Sequence, residues 1–134
     1  MDNRFEGEEA VLTVDQDQQS YDETKHVGMV SIVIPAFDEE EGIIESVNGV
    51  RDVMAESHYD YEIIVVDDGS TDKTSERVRS TGSRVVRHEE NRGYGASLKT
   101  GIRASKGDWI VITDADSTYP ANRIPDLLHD AGEY

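Results

Sequence analysis

Short apolar runs separated by helical patterns dominate the chain from residue 30 onward. Strands are predicted over 30–34, 62–66, 84–87 and 109–112, and the first is expected to stop at Pro35. The central runs lack the polar alternation of a half-exposed strand, which is typical of parallel strands buried on both faces. The pattern therefore predicts a parallel sheet that is covered by helices.

Four helices are predicted between and after these strands. In the clearest, apolar residues fall at i, i+4, i+7 and i+11 on one helix face: Ile43, Val47, Val50 and Met54. Thr71 or Asp72 is expected to cap a second helix that runs to about Ser80. Two more are predicted over 96–104 and 122–131. The β-α alternation predicts an α/β fold with three α-β-α layers and a mainly parallel, Rossmann-like sheet of four strands, for which we take the order 3-2-1-4.

Residues 1–28 differ in composition from the rest of the chain. They carry eight acidic and two basic residues with only short apolar stretches, so we predict an acidic, disordered tail before a folded part over 29–134. The chain has no cysteine, which excludes disulfides and thiolate metal sites. No apolar run approaches the roughly 20 residues that span a bilayer, and the N-terminus lacks the apolar core of a secretion signal, so we expect a cytoplasmic protein.

The net charge of −16 argues against nucleic acid as a partner, because phosphate backbones are bound by basic surfaces. The 134 residues contain nine arginines and four lysines. A large acidic excess with few lysines fits a salt-rich cytosol, where ionic strength screens self-repulsion, and we expect a halophilic origin on this ground. The alternative is a merely acidic protein with an acidic tail.

Two aspartates follow the fourth predicted strand. Asp114 and Asp116 lie one residue apart, so in an extended chain their side chains project to the same side. Neighbouring carboxylates repel each other unless a cation lies between them, and their hard oxygen ligands favour Mg²⁺ or Mn²⁺. A metal at a strand end is well placed to bind a diphosphate. The alternative is a turn or a helix cap.

Open parallel sheets bind ligands beyond the carboxyl ends of their strands, where the strand order reverses. In the order 3-2-1-4 this point lies between segments 35–39 and 114–116, with 67–70 adjacent. Asp67 or Asp68 could accept hydrogen bonds from a nucleobase or ribose, while a turn with a helix cap is the alternative. Phe37 could pack on a base, or it could be a core aromatic residue.

Several other functions are disfavoured by the residues. Pro35 and its successors replace the glycine-rich phosphate turn of a dinucleotide-binding dehydrogenase, and no P-loop is present. No nucleophile–base pair is evident. The four histidines have no evident partners and are predicted to be surface residues: His26, His58, His88 and His129.

Four blocks of this sequence resemble the family-2 glycosyltransferases with the GT-A fold, in the right order and with the right spacing. They are SIVIPAFDEE (31–40), VVDDGSTD (65–72), NRGYGASLKTG (91–101) and the segment 107–120. Together they cover residues 30 to about 130. The closest subgroup is the polyprenyl-phosphate (dolichyl-phosphate) mannosyl- and glucosyltransferases.

The resemblance implies inverting transfer of a hexose from GDP-mannose or UDP-glucose to an acceptor, with polyprenyl phosphate favoured. The nucleotide-binding positions it implies are Pro35, Ala36, Phe37, Glu39, Val66, Asp67, Asp68, Gly95, Lys99, Asp114 and Ala115. Asp114 and Asp116 would hold Mg²⁺ or Mn²⁺. Thr118 stands where the subgroup often has a metal-site glutamine, and its shorter hydroxyl leaves open whether it binds directly or through water.

The family's catalytic domain continues for about as many residues again, so this chain resembles its donor-binding half. No catalytic residue beyond the metal site is expected in the chain, and a non-catalytic nucleotide-sugar-binding fragment is the alternative. The fourth strand would be a bare sheet edge, which predicts self-association or a partner chain. Peripheral attachment at the cytoplasmic membrane face is a further expectation. The segment 113–118 also matches a phosphatase motif of the haloacid-dehalogenase type, but only the 18 residues 117–134 follow Asp116.

Overall fold

The computed structural model describes residues 12–13, 28–115 and 121–132. The elements are β1 (Leu12–Thr13), β2 (Met29–Ala36), α1 (Ile43–Glu56), β3 (Asp60–Asp67), α2 (Thr74–Ser80), β4 (Arg84–Arg87), α3 (Tyr94–Ala104), β5 (Trp109–Ile112), a 3-10 turn (Ala121–Arg123) and α4 (Ile124–Gly132). Each predicted strand and helix is present, with small shifts at its ends.

The sheet has the order β1-β5-β2-β3-β4. The strands from β5 to β4 pair in parallel, and in the numbering of the four predicted strands their order is 3-2-1-4, as predicted. Val33 of β2 lies between Ile64 of β3 and Ile112 of β5. This register brings the carboxyl ends of three neighbouring strands to one edge of the sheet.

The first long strand does not stop at Pro35, contrary to the prediction. β2 continues to Ala36, and Pro35 pairs with Val66 of β3. On its other side β2 pairs with β5 only as far as Val33. Because one side of the strand has no ladder at this point, a residue without an N–H group is tolerated.

A two-residue strand, β1, pairs antiparallel with β5. Leu12 lies opposite Ile110 and Thr13 opposite Trp109. The fourth predicted strand is therefore not the bare edge that we expected, because its free backbone groups are partly paired. Residues 1–11 and 14–27, where the disordered tail was predicted, lie outside the described residues. Self-association stays a prediction.

The core lies on both faces of the sheet. On one face, alternate residues of β2 pack with α1, α2 and α4, and the predicted apolar face of α1 is buried there: Ile43, Val47, Val50 and Met54. On the other face, Val33 and Ile64 pack against Leu98 of α3. Among the helices that the structure describes, none has the length and apolar character needed to cross a membrane.

Helix α3 approaches β2 closely at Gly101. A Cβ atom placed at this residue would overlap the Cγ1 atom of Val33, which is fully buried. Gly49, in the interior of α1, has nothing within 4 Å of the same position. The two helical glycines therefore differ in the space around them.

We expect Gly101→Ala to lower the free energy of unfolding by roughly 1–3 kcal/mol, because the packed contact with Val33 must open. Gly49→Ala should raise it by about 0.5–1 kcal/mol, since alanine favours the helix and meets no neighbour. Denaturant unfolding followed by circular dichroism measures both. Equal effects of the two variants would contradict the close approach of α3 to β2.

Candidate functional site

A cleft of about 510 Å³ opens where the carboxyl ends of β2, β3 and β5 meet. Seven of the residues that line it were predicted for the nucleotide site: Pro35, Ala36, Phe37, Glu39, Asp68, Asp114 and Ala115. Four lining residues were not predicted: Asn91, Gly93, Tyr94 and Ser97. Most of the residues that were predicted to bind the nucleotide therefore lie together at the point where the strand order reverses.

Reciprocal hydrogen bonds join the loop after β2 to the loop after β3. The N–H of Asp38 donates to Ser70 Oγ at 2.8 Å, and the N–H of Thr71 donates to Asp38 Oδ1 at 2.9 Å. Asp38 has a φ of 52°, a conformation that aspartate tolerates better than most residues. With the loop held in this way, the Phe37 side chain is 45% exposed in the cleft. The alternative of a core aromatic residue at Phe37 is not observed.

A second pair of acidic residues extends this connection. Asp72 accepts hydrogen bonds from the N–H groups of Glu40, at 3.2 Å, and Thr74, at 3.0 Å. Glu40 Oε1 in return accepts the N–H of Lys73 at 3.0 Å. Burial raises the pKa of Asp72, but the hydrogen bonds from Thr74 and Glu40 outweigh it, so the pKa is lowered overall. The cap position of α2 is Lys73, so neither Thr71 nor Asp72 occupies it as predicted, but Asp72 accepts the N–H of Thr74, the first residue of the helix.

The carboxylate of Asp68 holds the loop before α3, whose residues Asn91 and Gly93 form the far wall of the cleft. Its Oδ1 accepts the N–H of Arg92 at 2.8 Å, and its Oδ2 accepts the N–H of Gly93 at 2.9 Å. The side chain of Asn91 donates to the Asp68 carbonyl at 3.3 Å. Burial works to raise the pKa of Asp68, but hydrogen bonds from His88, Arg92 and Gly93 and the charge of His88 lower it overall. Asp68 is thus an ionised residue that holds the loop before α3.

His88 is buried, so the prediction that it lies on the surface is wrong. It is 6% exposed, its Nδ1 lies 2.8 Å from Asp68 Oδ1, and its Nε2 lies 2.7 Å from Thr100 Oγ1. His88 directly follows β4 at the same sheet edge as Asp68, a positional signal that could have found it. His58 and His129 are exposed, as predicted, and His26 lies outside the described residues.

Four predicted nucleotide-binding residues do not line the cleft. Asp67 is fully buried and accepts hydrogen bonds from the Ser70 N–H, the Ser75 hydroxyl and Arg87. Its carboxylate shapes the β3–α2 turn, which was the alternative interpretation of that segment. The other three lie in the core or on the exposed surface of α3: Val66, Gly95 and Lys99.

The segment after β5 contributes two residues to the cleft. Asp114 is exposed, and Ala115 is buried with its carbonyl oxygen accepting a hydrogen bond from the Ser46 hydroxyl of α1. Asp116 and Thr118 lie outside the described residues. Within the part of the chain that the structure describes, no cluster of three metal-ligating residues is found. The metal site stays a prediction.

The charged side chains in the described lining of the cleft are all negative. Its described lining includes the carboxylates of Glu39, Asp68 and Asp114 and no lysine or arginine. A diphosphate placed here would be repelled unless a cation accompanied it. Hard carboxylate oxygens are the ligands that Mg²⁺ and Mn²⁺ prefer, so the chemistry of these side chains suits such an ion, although the described carboxylates do not form a metal cluster.

Comparison with known proteins agrees with this architecture. Residues 31–134 match the sequence model of the family described as Glycosyl transferase family 2. The chain belongs to this family. The match covers the four blocks that resembled it, and it gives no support to the phosphatase alternative.

Curated relatives in the family include enzymes named undecaprenyl-phosphate 4-deoxy-4-formamido-L-arabinose transferase. The one from Pseudomonas fluorescens is 37% identical over 108 residues, which are 76% of this chain and 32% of that protein. The one from Edwardsiella ictaluri is 35% identical over 115 residues, 81% of this chain and 35% of that protein. The chain thus spans about a third of the length of these relatives.

Solved structures show the same GT-A fold. A mannosyltransferase from Pyrobaculum calidifontis, in complex with GDP-Man and Mn²⁺, has a TM-score of 0.65 at 28% identity over 77% of this chain and 31% of that chain. A glucosyl-3-phosphoglycerate synthase from Mycobacterium tuberculosis, in complex with UDP, has a TM-score of 0.71 at 26% identity over 91% and 47%. The described sheet is therefore the Rossmann-like part of a GT-A domain.

We expect Asp68→Asn to lower the free energy of unfolding by about 1–3 kcal/mol near neutral pH, because an amide nitrogen would face backbone N–H donors. The lowered pKa of Asp68 means that the ionised carboxylate stabilises the fold above its ordinary pKa of about 4. This contribution is lost as the pH falls through the lower, folded-state pKa. The stability difference between wild type and variant should therefore shrink below about pH 4.

Urea unfolding between neutral and acidic pH measures this difference. Asp52→Asn, at an exposed position of α1, is the matched control and should change stability little. A difference between wild type and Asp68→Asn that grows on acidification would contradict the anchoring role of the carboxylate.

Proposed function

We propose that this chain forms the nucleotide-sugar-binding part of an inverting glycosyltransferase. The reaction is transfer of a hexose from GDP-mannose or UDP-glucose to an acceptor, for which polyprenyl phosphate is favoured. The observation that carries the proposal is the cleft at the strand-order reversal, where three carboxylates and an exposed Phe37 face one cavity. Family membership and relatives that are named undecaprenyl-phosphate transferases support it.

The nucleoside would lie between the loops after β2 and β3. Phe37 offers an exposed aromatic surface for a base, and Pro35 and Glu39 line the same cavity. Asp68 is ionised and can only accept hydrogen bonds, so it would select an N–H or O–H group of the base or ribose.

The diphosphate would lie toward Asp114. Asp114 and Asp116 would hold Mg²⁺ or Mn²⁺, with Thr118 contributing directly or through water. When bound, the ion would neutralise charge on the nucleoside diphosphate leaving group. Asp114 contributes a carboxylate at the cleft, and Ser46 holds the adjacent Ala115 carbonyl, which fixes the start of this segment.

A polyprenyl phosphate acceptor would require no general base from the described residues. A phosphomonoester has its second pKa near 6 and is already anionic at neutral pH, so a polyprenyl phosphate needs no protein base. His88 is the one described histidine that is buried at this sheet edge, and both of its ring nitrogens have partners. We assign general-base catalysis to no residue of this chain.

Location and partners follow from the same proposal. We place the protein in the cytoplasm, peripheral to the membrane face where a polyprenyl phosphate would be found. The net charge of −16 suits a salt-rich cytosol. A non-catalytic nucleotide-sugar-binding role is the second candidate, because the described cleft offers residues for donor binding and we assign general-base catalysis to none of them.

Calorimetric titration with GDP-mannose and with UDP-glucose, each with and without Mn²⁺, tests the proposal. We expect binding of one donor that depends on Mn²⁺, with affinity falling at least about tenfold in Asp114→Asn and in Asp116→Ala, since each removes a charged metal ligand. The variant Asp52→Asn removes the same charge outside the cleft and should bind as wild type does.

Binding without metal, or no binding of either donor, would refute the proposed site. Radiolabelled sugar transfer to a polyprenyl phosphate separates the two candidate functions. Product formation by the chain supports the transferase, and metal-dependent binding without product supports the binding role.

A further inference from the structure

We propose that His88 is a positioning residue of the nucleotide cleft, which holds the Asp68 carboxylate so that one of its acceptor sites is left for the ligand. This inference rests on the proposed function for its ligand. Its structural part concerns only the described residues and can be tested without any ligand.

The imidazole of His88 connects three elements beneath the cleft. His88 follows β4, Asp68 follows β3, and Thr100 lies in α3. Because an ionised carboxylate accepts only, the 2.8 Å contact means that Nδ1 donates to Asp68 Oδ1. The Thr100 hydroxyl lies 2.7 Å from Nε2 and is its hydrogen-bond partner, since a hydroxyl can both donate and accept. Both ring nitrogens are satisfied, and the ring has no freedom to turn.

The Asp68 carboxylate keeps one hydrogen-bond acceptor site for a ligand. A carboxylate offers about four lone-pair sites, two on each oxygen. His88 Nδ1 and the Arg92 N–H occupy those of Oδ1, and the Gly93 N–H occupies one of those of Oδ2. One site on Oδ2 stays available, and Asp68 lines the cleft. Asp68 can therefore accept a single hydrogen bond from a ligand.

Loss of the His88 contact would affect the cleft through Asp68. Without the His88 donor, Oδ1 keeps only the Arg92 N–H, so the carboxylate can rotate more readily about its terminal torsion and exchange partners between its two oxygens. The N–H groups of Arg92 and Gly93 would then lose their fixed acceptors. Since Gly93 and Asn91 line the cleft, its wall would lose its fixed position.

The competing explanation is that the buried His88 ring only fills space. Two substitutions distinguish this explanation from a positioning role. In His88→Asn the amide N–H replaces the Nδ1 donor toward Asp68. In His88→Gln the longer side chain places its amide where Nε2 faces Thr100. Both remove the ring and leave comparable space, so a space-filling role predicts similar defects in the two variants.

We expect His88→Asn to bind GDP or UDP with Mn²⁺ within about threefold of wild type. His88→Gln should bind at least about tenfold more weakly, as expected for loss of a hydrogen bond to a charged group. Calorimetry on the full chain gives these affinities. Equal affinities of the two variants would overturn the positioning role.

Amide hydrogen exchange in the absence of nucleotide keeps this test separate from the proposed function. Exchange at Arg92 and Gly93 should be faster in His88→Gln and nearly unchanged in His88→Asn, and equal exchange would again overturn the inference. If wild type binds neither nucleotide, the proposed function fails while this readout still decides the role of His88.

A second variant covers the case in which His88→Gln does not fold. Thr100→Val keeps the ring and removes the partner of Nε2, so it should speed exchange at Gly93 and weaken nucleotide binding about two- to fivefold. No change in either measurement would contradict a ring that is held from both sides.

Discussion

The ionised carboxylate of Asp68 is the contact on which the cleft depends. It lies at the end of β3, is 5% exposed, and accepts hydrogen bonds from His88, Arg92 and Gly93. The end of β3 and the connection between β4 and α3, which lie 20 to 25 residues apart in sequence, thereby meet at one buried charge. A buried carboxylate without these donors would carry a large desolvation cost, so the charge and the loop stabilise each other. The loop before α3 forms one wall of the cavity through Asn91 and Gly93. The loops after β2 and β3, which are joined by hydrogen bonds, form the opposite wall.

The charge of the cleft limits what it can bind. Three carboxylates without a cationic side chain in the described lining disfavour a free diphosphate and favour one that arrives with a divalent ion. The mannosyltransferase from Pyrobaculum calidifontis, which is similar in structure, was solved in complex with GDP-Man and Mn²⁺. Donor binding at the cleft and the identity of the acceptor both remain part of the proposal.

The sequence predicted most of the architecture because buried strands and helix faces leave strong periodic signals. The strand order predicted that segments 35–39, 67–70 and 114–116 meet, and the family resemblance implied the seven residues of these segments that line the cleft. Asn91 and Gly93 were missed because their place depends on a contact with Asp68, 25 residues away in the case of Gly93. His88 was missed because a single histidine has no periodicity, and its one signal is its position directly after β4. The pairing of β1 was missed because two residues carry no periodicity.

Paramagnetic broadening of backbone amide signals by Mn²⁺ tests the central claim most directly. With GDP or UDP present, substoichiometric Mn²⁺ should broaden the amides of Phe37, Gly93 and Ala115, which belong to residues that line the cleft. The amides of Ser83 and Arg84, at the start of β4 and the opposite edge of the sheet, should stay sharp. Broadening that is the same with and without nucleotide, or that centres away from the cleft residues, would contradict a metal-assisted nucleotide site at this edge.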